Sequence, residues 1–235
     1  MKLPKLNSHM VRVYDNIFPE EMGDALVQTF EHTEHGQEFI DNNHKPCFTQ
    51  LNMNEHHPEV VRIFVNWTRI AYHDYVLETE NKHIPKFHHL EEFRIKRYLT
   101  NREERFDEHV DVTDYPSARR ALAFLFYLND NDGDTYFPDH QLIVHPKAGR
   151  VLVFPPTWEY PHIGYPPKTQ KKTAEIATDP PPKNSKKKSG GCGCGKKKAT
   201  QAAVDDEKET KKEKRKKILD IPRNEVSNNW NELPD

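Results

Sequence analysis

The chain has 235 residues, 34% of them hydrophobic and 31% charged. That length suits one large domain or a domain with appendages, and so low an apolar fraction excludes packed core along the whole chain. The formal net charge of −2 hides an acidic body over residues 1–182 and a basic segment over 183–217. Three cysteines, Cys47, Cys192 and Cys194, do not make a disulfide scaffold and point to a reducing compartment. MKLPKLNSHMVRVY holds no apolar run of secretory length, and no stretch nears the ~18 apolar residues of a membrane span. A soluble, cytoplasmic protein without membrane contact is expected.

VRVY (11–14) reads as a short strand. Residues 16–33 look helical, with Asn16 as cap, Pro19 near the first turn and Glu20 and Glu21 at the positive end. Met22, Ala25, Leu26 and Phe30 share a face at helical spacing. Residues 35–46 read as a polar loop and 48–54 as a strand. The clearest helix is 57–80, where Val60, Ile63, Phe64, Trp67, Ile70, Ala71 and Val76 or Leu77 form an apolar stripe. In 91–99, Phe93, Ile95 and Arg97 alternate with Arg94, Lys96 and Tyr98, as in a strand. ALAFLFYLN (121–129) is a continuous apolar run of strand length, the mark of a strand covered on both faces. NDNDGDT (129–135) is a turn by composition. Residues 141–146, 150–156 and 172–178 add strands. Helices first and at least five strands after make an α+β chain whose β half is a sandwich or open barrel.

The pattern changes near residue 180. Residues 180–217 form a Lys-rich linker containing GGCGCG, expected to be disordered. Its lysines could hold nucleic acid by charge alone, but no aromatics interleave with them for base stacking. Two thiols do not close a zinc site. Residues 218–235 read as a C-terminal peptide.

RFDEHVDV (105–112) holds the one His-x-Asp pair, His109 and Asp111. On an extended strand the two face one way and could chelate one cation. Two histidines and one carboxylate leave three positions open on an octahedral ion, the arrangement of non-haem Fe(II) oxygenases. The second histidine would come from a distant strand: His140, His145 or His162. Spacing alone leaves all three open. Trp158 is core or pocket rim, and Arg119 and Arg120 are solvated strand-end residues unless one guides substrate.

Residues 93–178 resemble the iron- and 2-oxoglutarate-dependent dioxygenases of the prolyl 4-hydroxylase type. The matching pieces stand in order: FDEHVD, YLND (127–130), DGDTYFP (132–138), HPKAGRVLVF (145–154) and HIGYPPKTQKK (162–172). The resemblance implies a double-stranded β-helix (jelly-roll, cupin-like) core over 91–179, with residues 1–90 supplying a strand and supporting helices. It implies a triad of His109, Asp111 and His162 holding Fe(II). It also implies 2-oxoglutarate as cosubstrate, with Lys172 at its far carboxylate, O2 as oxidant, and ascorbate as an auxiliary reductant. Tyr98, Tyr127 and Thr135 join the cosubstrate site. The chain departs from the family at Phe106, where a tyrosine is usual, and at Gln170, where a glycine is usual; Lys171 is the rival of Lys172.

The expected activity is hydroxylation of an unactivated C–H bond, with a peptidyl proline as one candidate target. Peptide, protein and small-molecule substrates stay open. The small size resembles compact microbial or viral members, which would place a viral protein in the host cytoplasm. The alternative expectation is an inactive binding or structural protein that keeps the fold and a basic interaction tail.

Overall fold

The run ALAFLFYLN contains a strand, β6 (Ala123–Tyr127), buried along its whole length. Its alternate residues serve two cores. Phe124 and Phe126, with Leu128 beyond the strand, pack against helices, while Ala123, Leu125 and Tyr127 pack between two sheets. The structure is a computed structural model, and it describes residues 10–42, 46–86 and 89–169 together with the backbone of 172–179. The Lys-rich segment, the CGCG cysteines, the C-terminal peptide, Gln170 and Lys171 lie outside the described residues.

Eleven strands are described. The larger sheet runs β1 (Arg12–Tyr14), β9 (Arg150–Phe154), β6, β11 (Lys172–Asp179), β4 (Glu92–Tyr98), β3 (Cys47–Asn52) and β2 (Gln37–Asp41). The smaller sheet runs β5 (Phe106–His109), β10 (His162–Gly164), β7 (Thr135–Phe137) and β8 (Leu142–Val144). Every described pairing between them is antiparallel. The two sheets enclose Leu125, Tyr127, Phe137, Val144, Leu152 and Phe154. This is the double-stranded β-helix, supported on its outer face by α1 (Glu20–His32), the short α2 (Met53–His56) and α3 (Pro58–Thr79).

The helices cover the larger sheet with Leu26, Phe30, Phe64, Ala71 and Tyr75, all buried. Each large apolar side chain so buried contributes about 1.5–3 kcal/mol. On α1 the buried face is Gly23, Leu26 and Phe30, and Ala25 is exposed. Gly23 is needed for a close approach: a Cβ there would stand 2.3 Å from the Leu128 carbonyl oxygen. On α3 the deepest face is Phe64, Thr68, Ala71 and Tyr75. Trp67 is partly buried and packs against this core, stacking on Phe18 at 4.8 Å.

Several local expectations change. Asn16 does not cap α1; it adopts a left-handed turn at φ 57°, and Pro19 is the N-cap residue, without a side-chain cap bond. Part of the polar loop 35–46 is β2, an edge strand whose backbone pairs with β3 over Gln37–Asp41. Its burial does not alternate, and Phe39 is 48% exposed, so backbone pairing rather than an apolar face makes it a strand. β7 and β10 are three residues long, too short to show a period. β5 ends at His109, so Asp111 lies just beyond the strand.

Candidate metal centre

β5 and β10 are adjacent in the smaller sheet, and His109 and His162 face each other in register. Their rings lie 4.2 Å apart, centroid to centroid. His109 Nε2 is 3.7 Å from Asp111 Oδ1. One ligand atom from each of His109, Asp111 and His162 falls within 4.8 Å of the others. No other group of three or more metal-ligand side chains is found among the described residues.

Backbone contacts prepare both imidazoles. His109 Nδ1 is 2.7 Å from the Asp107 carbonyl oxygen, and His162 Nδ1 is 3.2 Å from that of Tyr160. A carbonyl can only accept, so each Nδ1 carries hydrogen and each neutral ring keeps its Nε2 lone pair for a cation. Two neutral imidazoles and one carboxylate within this span fit a divalent iron with positions to spare.

Aromatic packing fixes the ring planes. Phe106 lies flat against His109, with centroids 3.5 Å apart and planes within 8°. His162 is buried against Phe154 at 4.8 Å and Phe137 at 5.7 Å. Phe106 lacks the hydroxyl a tyrosine would bring, but it holds His109 in place.

Asp111 is held from outside the strand. Its N–H donates to the Pro156 carbonyl at 3.2 Å, and Val112 N–H donates to the same oxygen at 3.1 Å. Arg120 Nη1 donates to the Asp111 carbonyl, and Arg120 Nε donates to Glu91 at 3.1 Å. Arg120 is therefore a buried clamp, whereas Arg119 is 63% exposed and keeps the solvated character expected of it.

The competing histidines have other partners. His140 Nε2 lies 3.0 Å from the Glu159 carbonyl oxygen, and its ring stacks on Tyr160. His145 is exposed and pairs with Asp134 at 2.9 Å. Trp158, at 76% exposure, is not core. A cleft of about 610 Å³ opens beside His109, lined by Phe106, Asp107, Ile163, Tyr165 and Pro166 among others.

The residues expected around a cosubstrate also gather between the sheets. Tyr127 and Thr135 are buried, with their hydroxyls 2.7 Å apart. Tyr98 is fully buried on β4, and the backbone position of Lys172 is its register partner at the start of β11. The sequence gives Lys96 no role beyond the alternation of β4, yet it is only 3% exposed and stands over the rings of Phe48 and Phe106. The signal was present in the alternation of β4, where Lys96 keeps step with Tyr98 against Phe93 and Ile95.

Fold and site together give a double-stranded β-helix with a cluster of two histidines and one carboxylate that could hold a metal ion. The family described as the 2OG-Fe(II) oxygenase superfamily matches residues 93–176. The chain thus carries a 2-oxoglutarate-dependent dioxygenase domain there, prolyl 4-hydroxylase-like in fold. Fe(II) is this family's metal and 2-oxoglutarate its cosubstrate, and the His-Asp-His set fits the iron.

Three solved structures share the fold. A viral collagen prolyl hydroxylase from Paramecium Bursaria Chlorella virus-1, in complex with 2-oxoglutarate, is 16% identical, with a TM-score of 0.52 over 74% of this chain and 99% of that one. A Trichoplax adhaerens prolyl hydroxylase, bound to a hypoxia inducible factor peptide, is 14% identical, with a TM-score of 0.57 over 74% and 84%. A Pseudomonas putida prolyl-4-hydroxylase is 18% identical, with a TM-score of 0.54 over 73% and 92%. No curated protein matches the chain in sequence.

Proposed function

We propose that this protein hydroxylates an unactivated C–H bond of a peptide or protein, with a prolyl residue as the leading target. One O2 and one 2-oxoglutarate would be consumed. One oxygen atom enters the product hydroxyl, the other enters the new carboxylate of succinate, and CO2 leaves. The single observation that carries this reading is the facing pair His109 and His162, each with Nδ1 engaged by a carbonyl, beside Asp111.

Bound Fe(II) supplies the redox chemistry that activates O2 and drives the decarboxylation. The chain supplies everything else. His109, Asp111 and His162 would hold the ion through Nε2, carboxylate and Nε2. Phe106 keeps the His109 plane fixed, so its Nε2 keeps one orientation. Lys172 would meet the far carboxylate of 2-oxoglutarate, and Tyr98, Tyr127 and Thr135 would offer it hydroxyls. The flanking apolar residues Phe137, Phe154 and Leu125 keep water from that end of the site.

Peptide is favoured over small-molecule substrate because the Trichoplax neighbour holds a peptide and the viral neighbour is a collagen prolyl hydroxylase. The exposed Trp158 and the open cleft beside His109 suit an extended chain better than a closed pocket would. Incubation with Fe(II), ascorbate, 2-oxoglutarate and proline-containing peptides tests this. Succinate should form in step with a gain of one oxygen atom on the peptide. Succinate without any peptide oxidation across the panel would exclude prolyl hydroxylation.

A further inference from the structure

Among the described residues, the two most exposed large apolar side chains are Tyr115, at 94%, and Trp158, at 76%. Both stand on loops rooted in the His-Asp-His cluster. The loop 111–120 begins at Asp111 and returns to it, because Arg120 Nη1 donates to the Asp111 carbonyl. Tyr115 lies midway along it. The loop 156–162 has a foot at each of two ligand residues. The Pro156 carbonyl accepts the Asp111 and Val112 N–H groups, and the Tyr160 carbonyl accepts from His162 Nδ1. Trp158 lies between these feet, in a turn closed by Tyr160 N–H on the Thr157 carbonyl at 2.9 Å.

Hydrogen bonds and packing brace both loops. Ser117 is buried, and its Oγ accepts from the N–H groups of Thr113 and Asp114 at 3.1 and 3.0 Å. The Ser117 N–H donates to Asp114 Oδ1 at 3.0 Å, and Ala118 N–H donates to the Tyr115 carbonyl at 3.3 Å. In the other loop Tyr160 is buried, with its ring stacked on His140 and its hydroxyl accepting from Met10 N–H at 3.0 Å. Single exposed apolar residues are ordinary on a protein surface. Here the two most exposed ones sit on braced loops that meet at the Asp111–Pro156 contact, where a substrate of this site must approach.

We propose that Tyr115 and Trp158 are specificity-determining residues that take up the substrate residue beside the oxidised one and favour a proline ring there. This inference rests on the peptide reading given above. A proline-rich chain is already extended, so it loses little conformational freedom on binding, and it presents flat ring faces to aromatic side chains. Tyrosine and tryptophan offer large contact areas at the cost of two torsions each. Their O–H and N–H groups are donors, and the carbonyls of an extended chain have no partner within that chain. Both rings lie outside the buried core, so their effect falls on binding and not on the frame of the ligand residues.

Steady-state hydroxylation by the full chain with Fe(II), ascorbate and 2-oxoglutarate tests this on two short peptides with one central proline. One peptide has prolines beside the central residue and the other has alanines there. Oxidation of the central proline is read by tandem mass spectrometry. Tyr115→Ala and Trp158→Ala should each raise KM for the proline-flanked peptide about 3- to 10-fold, with kcat within about twofold. The preference for that peptide over the alanine-flanked one should shrink by the same factor. Trp158→Phe keeps a ring and should restore most of the KM, a rescue that a backbone role would not show. Melting temperature and Mn(II) affinity should stay at the wild-type level in all three variants. Unchanged KM in both alanine variants, equal losses on the two peptides, or losses that track the melting temperature would overturn the proposal. A dimer that the alanine variants convert to monomer at unchanged KM would assign the rings to a second copy of the chain and also overturn it. Wild-type protein that oxidises neither peptide would overturn the prolyl reading itself, and this inference with it.

Discussion

Replacing Arg120 by methionine should loosen Asp111 without touching a metal ligand. The arginine side chain is 7% exposed and that of its partner Glu91 is 10% exposed. The substitution removes the 3.1 Å bond to Glu91 and the bond to the Asp111 carbonyl. Glu91 is then left buried beside Arg119, which stands 3.8 Å away on a largely exposed side chain. Breaking a buried pair by removing one partner costs about 3–5 kcal/mol. Arg119 offsets part of this, so about 2–3 kcal/mol is expected. At roughly 2–4 °C per kcal/mol for a chain of this size, Tm should fall by about 4–12 °C. Metal affinity should fall about tenfold, as when a group that orients a ligand is lost. Thermal melts with and without Mn(II), joined to a metal titration, measure both effects. The double variant Arg120→Met with Glu91→Met should regain most of the stability, because no buried charge is stranded, but not the metal affinity. Unchanged affinity in the single variant, or recovery of affinity in the double, would refute the clamp.

Glu104 should make stability fall as pH rises. Its side chain is fully buried, and burial pushes its carboxyl above the usual carboxylate range, against the opposing Leu99 N–H bond and the Arg102 and Arg97 charges. The folded state therefore holds the proton more tightly than the unfolded chain. The stability this contributes is complete below the unfolded value of about 4.3 and is lost as pH climbs through the raised folded value. Glu104→Gln should flatten that part of the profile in urea unfolding followed across pH, and an equally steep profile would count against it. Tyr127→Phe deletes the 2.7 Å contact with Thr135 and leaves a buried hydroxyl without its partner. Chemical denaturation should show a loss of about 1–3 kcal/mol; unchanged stability would mean that water or another group satisfies Thr135.

The long elements were legible because their periods are long enough to read. α3 and β6 declare themselves through repeated apolar spacing, and β6 even shows that both its faces are covered. β7 and β10 have three residues each, and β2 is an edge strand made by backbone pairing, so none carries a period in its side chains. The expectation that His109 and Asp111 share a strand face failed because β5 stops at His109; Asp111 is brought into place by Pro156 and Arg120, from distant parts of the chain. His162 could be chosen over His140 and His145 only by the ordered motifs, since its register with His109 is a property of the sheet. Arg120 looked like a solvated strand end because charge usually means exposure. Its burial depends on Glu91, 29 positions earlier in the chain. Lys96 was visible in the alternation of β4, but only the packing of Phe48 and Phe106 around it shows that its face is closed.

The most direct test is anaerobic titration of the protein with Fe(II) and then with 2-oxoglutarate. A weak visible charge-transfer band should grow to a one-to-one end point in the wild type. It should be lost in His109→Ala, Asp111→Ala and His162→Ala, which no longer hold the ion. Lys172→Ala should keep iron and form the band only at higher 2-oxoglutarate. A wild-type protein that binds no iron at these residues, or that binds iron but never forms the band, would contradict the account.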